Sequence, residues 1–446
     1  MKLNVKRTIL VGFAFLLISM FWQMYDNIVA KMLVDNFGLD QAASGIIMAL
    51  DNMLALILLP LFGHISDRTM TKYGKRTPYI FIGTVFVVVI VALIGIVDFY
   101  QQVAVAELQI SNVFETSENS GLFTYTIEGI HQFNDSGAYF SRSDLAAAAR
   151  ADLIFANITS QNPTMLILFI VVLFFVLLGM SIFRSPAVSL MPDVTPKPLR
   201  SKANAIINLM GTAGGVISLA VIAVVGAVFA GQHVGYIPHM IVLAVLMLVL
   251  LFVFLFTVKE NTWRQEMEKF SIDNKLMEVE ETAYDKTRKA EPLPKDVRRS
   301  LILILTAVVL WFMAYNAATT KYSVYATSAL GLANFTLPLI VAQVAAAISF
   351  IPIGIISTKF GRRKTILVGI LIITTAFILA YFTTASTTVL MYVAMSLAGI
   401  GWATINVNSY PMVVEMSKGS NVGVYTGYYY TASMAAQIVT PYLSGE

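Results

Sequence analysis

The amino-acid sequence predicts an all-α polytopic membrane protein built from two helical bundles. Three observations support this fold class. Hydrophobic residues make up 57% of the 446 residues and charged residues only 13%, against about 25% charged in soluble domains. Eleven apolar segments are long enough to cross a bilayer, and one loop motif occurs once in each half of the chain. A soluble fold is therefore excluded.

The apolar segments set the predicted helices. A bilayer core about 30 Å thick requires roughly 20 apolar residues per helix. Segments of that length, bounded by charged or turn-forming residues, predict spans at 8–33, 42–65, 78–99, 163–185, 203–230, 236–258, 301–325, 333–357, 365–384, 387–411 and 421–443. The first is too long for a signal peptide and has no small-residue cleavage site, so we interpret it as a retained span.

The basic residues predict the orientation. With the N-terminus in the cytoplasm, 26 of the 30 Lys and Arg residues fall on the inner side, and only Lys31, Arg142, Arg150 and Lys321 fall outside. This distribution obeys the positive-inside rule. We therefore expect a multi-pass protein of the cell membrane with a cytoplasmic N-terminus, its main partner being the lipid bilayer.

Two polar segments interrupt the spans. Residues 101–162 form a polar, acidic outer insertion, whose stretch 121–133 has the pattern of a strand pair. A lid over the protein and a surface insertion without function are both open. Residues 259–299 carry ten basic and ten acidic residues, a pattern typical of a cytoplasmic linker. The predicted domains are thus an N-terminal six-helix bundle (1–258), this linker, and a C-terminal five-helix bundle (300–446).

A short motif is repeated at the same place in each half. GHISDR at 63–68 with YGKR at 73–76 follows span two, and GIIS at 354–357 with FGRRK at 360–364 follows span eight. An acidic residue also recurs, as Asp193 after span four and Glu415 after span ten. Internal repeats of this kind indicate two homologous halves.

Composition and motifs exclude several classes of protein. The chain has no cysteine, and its four histidines are far apart in sequence, so we expect no metal site, no redox chemistry and no cofactor. A nucleotide-driven pump would need a phosphate-binding G-x-x-x-x-G-K-[ST] loop, which the sequence lacks. The net charge of +4 follows from membrane orientation, so nucleic acid is not an expected partner. We expect no enzyme.

The repeated loop resembles the signature loop of the major facilitator superfamily. The longer string from Pro60 to Pro78 resembles the glycoside-pentoside-hexuronide cation symporters, most closely their sucrose/proton branch, solute carrier family 45. The segments PAVSLMPD at 186–193, RSKANA at 200–205 and GWA at 401–403 support this resemblance. It implies a monomeric two-bundle transporter that moves a small sugar, such as sucrose or a related glycoside, together with a proton by alternating access.

The chain departs from this family in three ways. Melibiose-type members carry an acidic pair where Ala55 and Leu59 stand, so we expect no sodium site. Plant sucrose carriers have an arginine at the position of Val188, whereas here the nearby arginine is Arg184. Only eleven of the usual twelve helices fit, so we expect that helix twelve is missing and that the chain is a truncated product with at best weak transport.

Charges inside predicted spans are costly and mark functional sites. Asp26 and Asp51 reach a similar depth in spans one and two, because a helix rises 1.5 Å per residue. Two carboxylates in one partly dehydrated cavity could carry a proton, although helix capping or an interfacial position open to water is an equally good interpretation of each. The candidate proton-coupling residues are therefore Asp26 and Asp51.

Two further sets of residues complete the candidate site. Aromatic and polar side chains inside the spans could bind sugar, while packing or snorkelling remains an alternative for the Trp and basic residues: Trp22, Gln23, Asn27, Asn52, Arg184, Asn316, Lys321, Trp402 and Asn406. Glycines and charges of the repeated loops could close the cytoplasmic side as a conformational latch: Gly63, Asp67, Arg68, Gly74, Arg76, Asp193, Arg200, Gly361, Arg362 and Glu415.

Rival functions remain open. A receptor or scaffold could use the outer insertion, but it would need neither the intramembrane carboxylates nor a duplicated loop. Within transport, a uniporter, or a cation-coupled carrier of another small solute, fits the residues equally well, because sugar selectivity rests on the resemblance alone.

Overall fold

The computed structural model describes residues 2–107, 111–115, 123–127, 130–132, 150–229, 234–276, 294–324, 336–417 and 421–443. The helices of what we call the N-half are α1 (Val5–Met24), α2 (Ala30–Asp35), α3 (Gln41–Met48), α4 (Leu50–Arg68), α5 (Thr77–Glu107), α6 (Thr164–Val194), α7 (Arg200–Val228) and α8 (Ile237–Thr257). Helix α9 (Glu260–Asp273) follows. The C-half consists of α10 (Lys295–Val324), α11 (Thr336–Phe360), α12 (Arg362–Tyr381), α13 (Thr388–Val414) and α14 (Val422–Leu443).

Ten helical segments of the described chain are long and apolar enough to cross a membrane. They coincide with the first ten predicted spans, and the first of them, Val5–Asp35, joins α1 to α2 through a π-helical turn, Tyr25–Val29. The eleventh predicted span is a helix, α14, but it is not among the ten, because Tyr, Thr and Gly make up much of its sequence. The predicted count of eleven is therefore not confirmed.

Two helices run further than the hydropathy of their sequences predicts. Helix α5 continues to Glu107, past the predicted end at residue 99, and its extra turns bury Gln101 and Val105. Helix α6 continues to Val194 through two prolines, and most of its last turns are buried. Tertiary packing thus extends both helices into segments that are less apolar than a span.

The outer insertion contains a small antiparallel sheet of three strands. Its strands are β1 (Ser111–Glu115), β2 (Phe123–Ile127) and β3 (Ile130–Gln132), in the order β1-β2-β3. Strands β2 and β3 pair within the predicted stretch 121–133.

The end of the insertion is anchored to the N-half. The Thr159 hydroxyl donates to the Phe37 carbonyl at 2.8 Å, and the Gln101 amide donates to the Thr159 oxygen at 3.2 Å. Gly38 has φ +69°, and a Cβ there would lie 2.3 Å from the Ala151 carbonyl oxygen. A side chain would therefore not fit between this turn and the insertion.

The two halves meet along two helix pairs. Helix α4 packs against α14, and α7 packs against α11. Both crossings lie near the end of the bundle that carries residues 69–76, 195–199 and 415–417, which we call the latch end. The largest buried apolar cluster lies in the N-half and reaches α14 through Val422, Tyr425 and Tyr429.

Candidate functional site

Glycines bring α4 and α14 into backbone contact at the latch end. A Cβ on Gly63 would lie 2.2 Å from the Gly423 carbonyl oxygen, and a Cβ on Gly427 would lie 2.4 Å from the Cα of Pro60. No real Cβ fits at such distances. The close approach of the two halves therefore requires glycine at these positions.

A buried charge cluster lies beside this crossing. The Asp67 carboxylate accepts hydrogen bonds from the backbone N–H groups of Gly423 and Val424, both at 2.9 Å. These amides belong to the first turn of α14, where a helix favours negative charge. Arg76 donates to Asp67 at 2.5 Å through Nη2 and to Asp193 at 2.7 Å through Nε. The cluster thus joins three elements of the N-half to the start of α14.

Arg76 keeps its charge despite complete burial. Burial alone disfavours a charged guanidinium, but the carboxylates of Asp193 and Asp67 outweigh it and raise the pKa of Arg76. A further hydrogen bond runs from Nη1 to the Ser66 hydroxyl at 2.5 Å. Arg76 is therefore a permanent cation that holds two carboxylates in place.

The second copy of the loop makes a different contact between the halves. Gly361, with φ +92°, separates α11 from α12 and starts the helix that carries Arg362. Arg362 pairs with Glu415 of its own half and donates across the interface to the Ser201 hydroxyl at 2.5 Å and the Lys197 carbonyl at 2.7 Å. In the second copy Arg362 therefore connects the two halves, as Asp67 does in the first copy.

Two latch candidates take other roles. Arg200 is buried and donates to the carbonyl oxygens of Pro192 and Thr195 within its own half, at 2.9 and 3.2 Å. Arg68 is exposed and makes no hydrogen bond or ion pair with any residue in the described ranges. A latch role for Arg68 therefore stays a prediction, for which its exposed side chain supplies no contact.

Helix α9 holds the loop from outside the bundle. Its Glu260 carboxylate is 1% exposed and accepts from the backbone N–H groups of Lys75, Arg76 and Thr77, at 2.6 to 3.1 Å. Gly74 has φ +123°, and a Cβ there would collide with this carboxylate. The first turn of α5 is thereby capped by a residue of the linker.

A cavity of about 370 Å³ separates the two halves at mid-depth. The N-half contributes polar side chains from α1, α6 and α7, and the C-half contributes side chains from α11, α13 and α14. Its lining includes Ser19, Trp22, Gln23, Asp26, Arg184, Asn208, Thr212, Gln343, Phe350, Trp402 and Tyr430. The predicted residues Trp22, Gln23, Asp26, Arg184 and Trp402 therefore lie together.

Arg184 is the central charge of this cavity. Its guanidinium carbon lies 5.0 Å from the ring centroid of Trp22 and 5.0 Å from that of Tyr430. Trp22 belongs to the N-half and Tyr430 to the C-half, so this cation–π pair connects the halves. The Arg184 Nε is buried without a hydrogen-bond partner among the described residues.

Both intramembrane carboxylates lie within electrostatic reach of Arg184. Asp26 interacts with the charges of Asp51 and Arg184, and Asp51 also interacts with Arg184. Asp26 lies on the π-helical turn that interrupts the first span, a local structure frequent at functional sites. Asp51 lies in the first turn of α4, after the break at Ala49. The two acids and one base therefore interact through their charges.

The remaining predicted binding residues lie elsewhere. Asn27 donates to the backbone of its own helix at Gln23, 2.7 Å away, and the Asn406 carbonyl accepts from Asn204. Neither Asn52 nor Asn316 lines the cavity, although the Asn316 amide nitrogen is buried and unpartnered within the described part. The side chain of Lys321 lies outside the described residues. Within the described ranges, no three His, Cys, Asp or Glu residues are grouped to hold a metal.

Sequence reasoning missed several lining residues. Gln343 is a polar residue in the middle of span eight, and Asn208 and Thr212 are one helical turn apart in span five, so a search for intramembrane polar residues would have found them. Tyr430 lies in a run of three tyrosines, a pattern typical of packing or of an interfacial belt. Only the position of Arg184 in the structure reveals that the Tyr430 ring faces a cation.

Two family models match the sequence. The model described as Major Facilitator Superfamily matches residues 145–441, and the model described as MFS/sugar transport protein matches residues 10–113. A search of curated proteins finds no significant match.

Solved structures of transporters share the fold at low sequence identity. The proton:xylose symporter XylE, bound to 6-bromo-6-deoxy-D-glucose, is 13% identical with a TM-score of 0.60, and the match covers 99% of this chain and 87% of that one. The major facilitator superfamily transporter FucP, in the outward conformation, is 12% identical with a TM-score of 0.58, and the match covers 98% of this chain and 91% of that one. A bacterial homologue of the iron transporter ferroportin, in an outward-facing state, gives the same values. Such likeness shows the fold alone.

Proposed function

The chain belongs to the major facilitator superfamily, and from this premise we propose that it is a secondary active transporter that moves a small sugar together with a proton. One observation carries the proposal. The cavity between the halves contains Arg184 with Asp26 on its wall and Asp51 nearby. A site between two homologous halves is where rocking exposes a bound solute to each side in turn.

The charged group supports proton coupling. The charge of Arg184 acts on both carboxylates, so protonation of either leaves one carboxylate to balance the arginine and lowers the cost of burying the group. Arg184 also bridges to Tyr430 of the C-half. A change in the charge of Asp26 or Asp51 would therefore alter a contact between the moving halves, which is the requirement for coupling.

The latch supports alternating access. The halves are held together at the latch end by the Asp67 and Arg362 contacts. A second cavity, inside the C-half, shares Trp402 with the central one and extends towards the opposite end, where Met391 and Tyr381 lie. With the predicted orientation the latch end is cytoplasmic, and the conformation is outward-facing. Opening this latch is then the step that releases solute into the cell.

Three observations support sugar as the solute. The family model for sugar transport covers residues 10–113, which include Trp22 and both carboxylates. Trp22 and Trp402 offer indole rings for the apolar faces of a sugar, and neutral polar side chains for its hydroxyl groups stand near them. The resemblance to sucrose/proton symporters makes sucrose or a related glycoside the first candidate.

Uptake into proteoliposomes tests the proposal. A panel of labelled sugars would be offered with an inward proton gradient, with a sodium gradient and with neither. We expect accumulation of at least one sugar only with the proton gradient, since Ala55 and Leu59 leave no acidic pair for sodium. Equal uptake under all three conditions would instead show a uniporter, and uptake of none would favour another small solute.

A further inference from the structure

A second cavity opens from the central one into the C-half. It has a volume of about 660 Å³ and lies between α10, α11, α12 and α13. Thr212, Gln343, Phe350 and Trp402 line both cavities, so the two share a wall and Thr212 brings the N-half into it. We call it the apolar compartment.

The two cavities differ in chemistry. The central one has the charged Arg184 and Asp26 on its wall, whereas the apolar compartment has no charged residue on the wall that the structure describes. Its surface is made mostly of alanine, methionine and aromatic side chains, with Thr212, Thr319 and Gln343 as its non-aromatic polar residues. Apolar pockets of this size bind apolar groups, which gain free energy in proportion to the surface removed from water.

Trp402 stands at the junction. Its ring lies 6.3 Å from that of Tyr315 and 6.0 Å from that of Phe350, measured between centroids. These aromatic rings offer stacking surfaces to a planar apolar group that enters from the central cavity. At the far end of the compartment the Tyr322 hydroxyl is buried and has no hydrogen-bond partner in the described chain. A bound group with one acceptor oxygen would satisfy it.

We infer that the transported solute is amphipathic: a glycoside whose sugar occupies the central cavity and whose aromatic or branched aliphatic aglycone occupies the apolar compartment. The inference rests on the proposed function and deepens it. A free disaccharide such as sucrose would leave the apolar compartment unused, since both of its rings carry hydroxyl groups and it has no separate apolar group to place there. The favoured occupant is thus an aryl or alkyl glycoside.

Matched glycosides test this inference on the full chain reconstituted in lipid nanodiscs. Binding of the methyl and the 4-nitrophenyl glycosides of glucose, galactose and mannose would be measured by calorimetry. For the hexose that binds, we expect the nitrophenyl glycoside to bind about tenfold more tightly, from burial of its ring. Equal affinities would overturn the inference and leave sugar transport standing. If none of these glycosides binds to the folded protein while sucrose does, the inference falls alone; if sucrose does not bind either, both proposals fall.

A pair of variants on α10 tests whether the tighter binding of the nitrophenyl glycoside comes from the apolar compartment. Ala318 lines the apolar compartment and Ala314 is exposed on the same helix. Ala318→Phe should fill the compartment and abolish the advantage of the nitrophenyl glycoside, while the methyl glycoside binds as before. Ala314→Phe is the control and should retain the advantage. An advantage that survives in Ala318→Phe would contradict the inference, and would leave the compartment to another occupant such as a lipid acyl chain.

Discussion

At the scale of single residues, the site depends on Arg184. A planar guanidinium can lie against two rings and still face two carboxylates, whereas an ammonium cannot present such a surface. Its position between Trp22 and Tyr430 brings one side chain into contact with both halves, and its charge acts on both acids. Asp26 and Asp51 therefore do not act as independent carboxylates.

Neutralising the acids tests proton coupling. Asn keeps the shape of Asp but cannot bind and release a proton, so Asp26→Asn and Asp51→Asn should each lower pH-driven accumulation at least tenfold. Downhill exchange of sugar should persist in at least one of them. The matched control is Asp40→Asn, because Asp40 is exposed and caps α3 with a side chain that Asn can replace. Wild-type accumulation by both cavity variants would contradict the coupling role.

Replacing Arg184 by lysine separates charge from shape. Arg184→Lys retains the positive charge but loses the planar contact with two rings, for which cation–π estimates give about 0.5–2 kcal/mol. We expect sugar affinity to fall roughly three- to thirtyfold by equilibrium binding. Arg68→Lys, at an exposed position, should have no effect. Unchanged affinity in Arg184→Lys would show that the arginine only balances charge.

At the scale of helices, the first copy of the loop and the second close the same interface by different means. Asp67 caps the start of α14, and Arg362 reaches Ser201 and Lys197 from the other half. In the second copy Thr358 stands in place of the acid and donates to the Gly354 carbonyl of its own helix at 2.7 Å. The duplication therefore conserves the contact between halves but not the residue type.

Asp67→Asn should loosen the latch. An amide cannot serve as a charged acceptor for both Arg76 and the N-terminal amides of α14, and hydrogen bonds to charged groups contribute about 1.5–3 kcal/mol. Because the chain has no cysteine, a Ser189→Cys reporter can be added; Ser189 is buried against Thr426 of the other half. We expect this cysteine to react with a maleimide at least fivefold faster in Asp67→Asn.

The control for this measurement is Asp296→Asn, which removes an exposed carboxylate at the start of α10. It should leave the rate of the reporter unchanged. An unchanged rate in Asp67→Asn as well would show that glycine packing alone keeps the latch closed.

Two glutamates of α9 provide a matched test of how the linker holds the loop. Glu260 accepts hydrogen bonds from three backbone amides and is buried, whereas Glu266 pairs with Arg7 at 2.5 Å on the exposed surface. Glu260→Gln should destabilise the protein by about 1–3 kcal/mol, and Glu266→Gln by less than about 1 kcal/mol. Thermal unfolding in detergent would show the difference. Equal unfolding temperatures would contradict the anchoring role of Glu260.

At the scale of the whole molecule, hydropathy and the duplicated loop predicted most of the architecture. Ten spans lie where the length of the apolar segments placed them, since a bilayer requires that length. Gly63 stood out because its motif recurs at Gly354, and Asp67 because it lies in the first copy of that motif. The cavity was harder to predict. Tyr430, Gln343 and Thr212 come from three helices far apart in sequence, and only tertiary packing brings them to Trp22 and Arg184.

The sequence does not show which asparagines of the spans line the cavity, for a related reason. A short amide side chain in a helix can bond to the carbonyl one turn before it, as Asn27 does, and the sequence does not distinguish this from an amide that faces the cavity. Hydropathy does not mark α14 as a span for a similar reason, because tyrosines and threonines lower its mean hydropathy; of these, Tyr430 lines the cavity and Thr426 accepts a hydrogen bond from Ser189 of the other half.

Sugar-driven proton movement tests the central claim most directly. Proteoliposomes containing a pH-sensitive dye would receive an outside excess of the transported sugar, with no proton gradient at the start. Coupled symport predicts that entry of sugar acidifies the lumen, and that the Asp26→Asn, Asp51→Asn double variant removes this signal. Sugar entry at the wild-type rate without any change in luminal pH would contradict proton coupling and show that the protein is a uniporter.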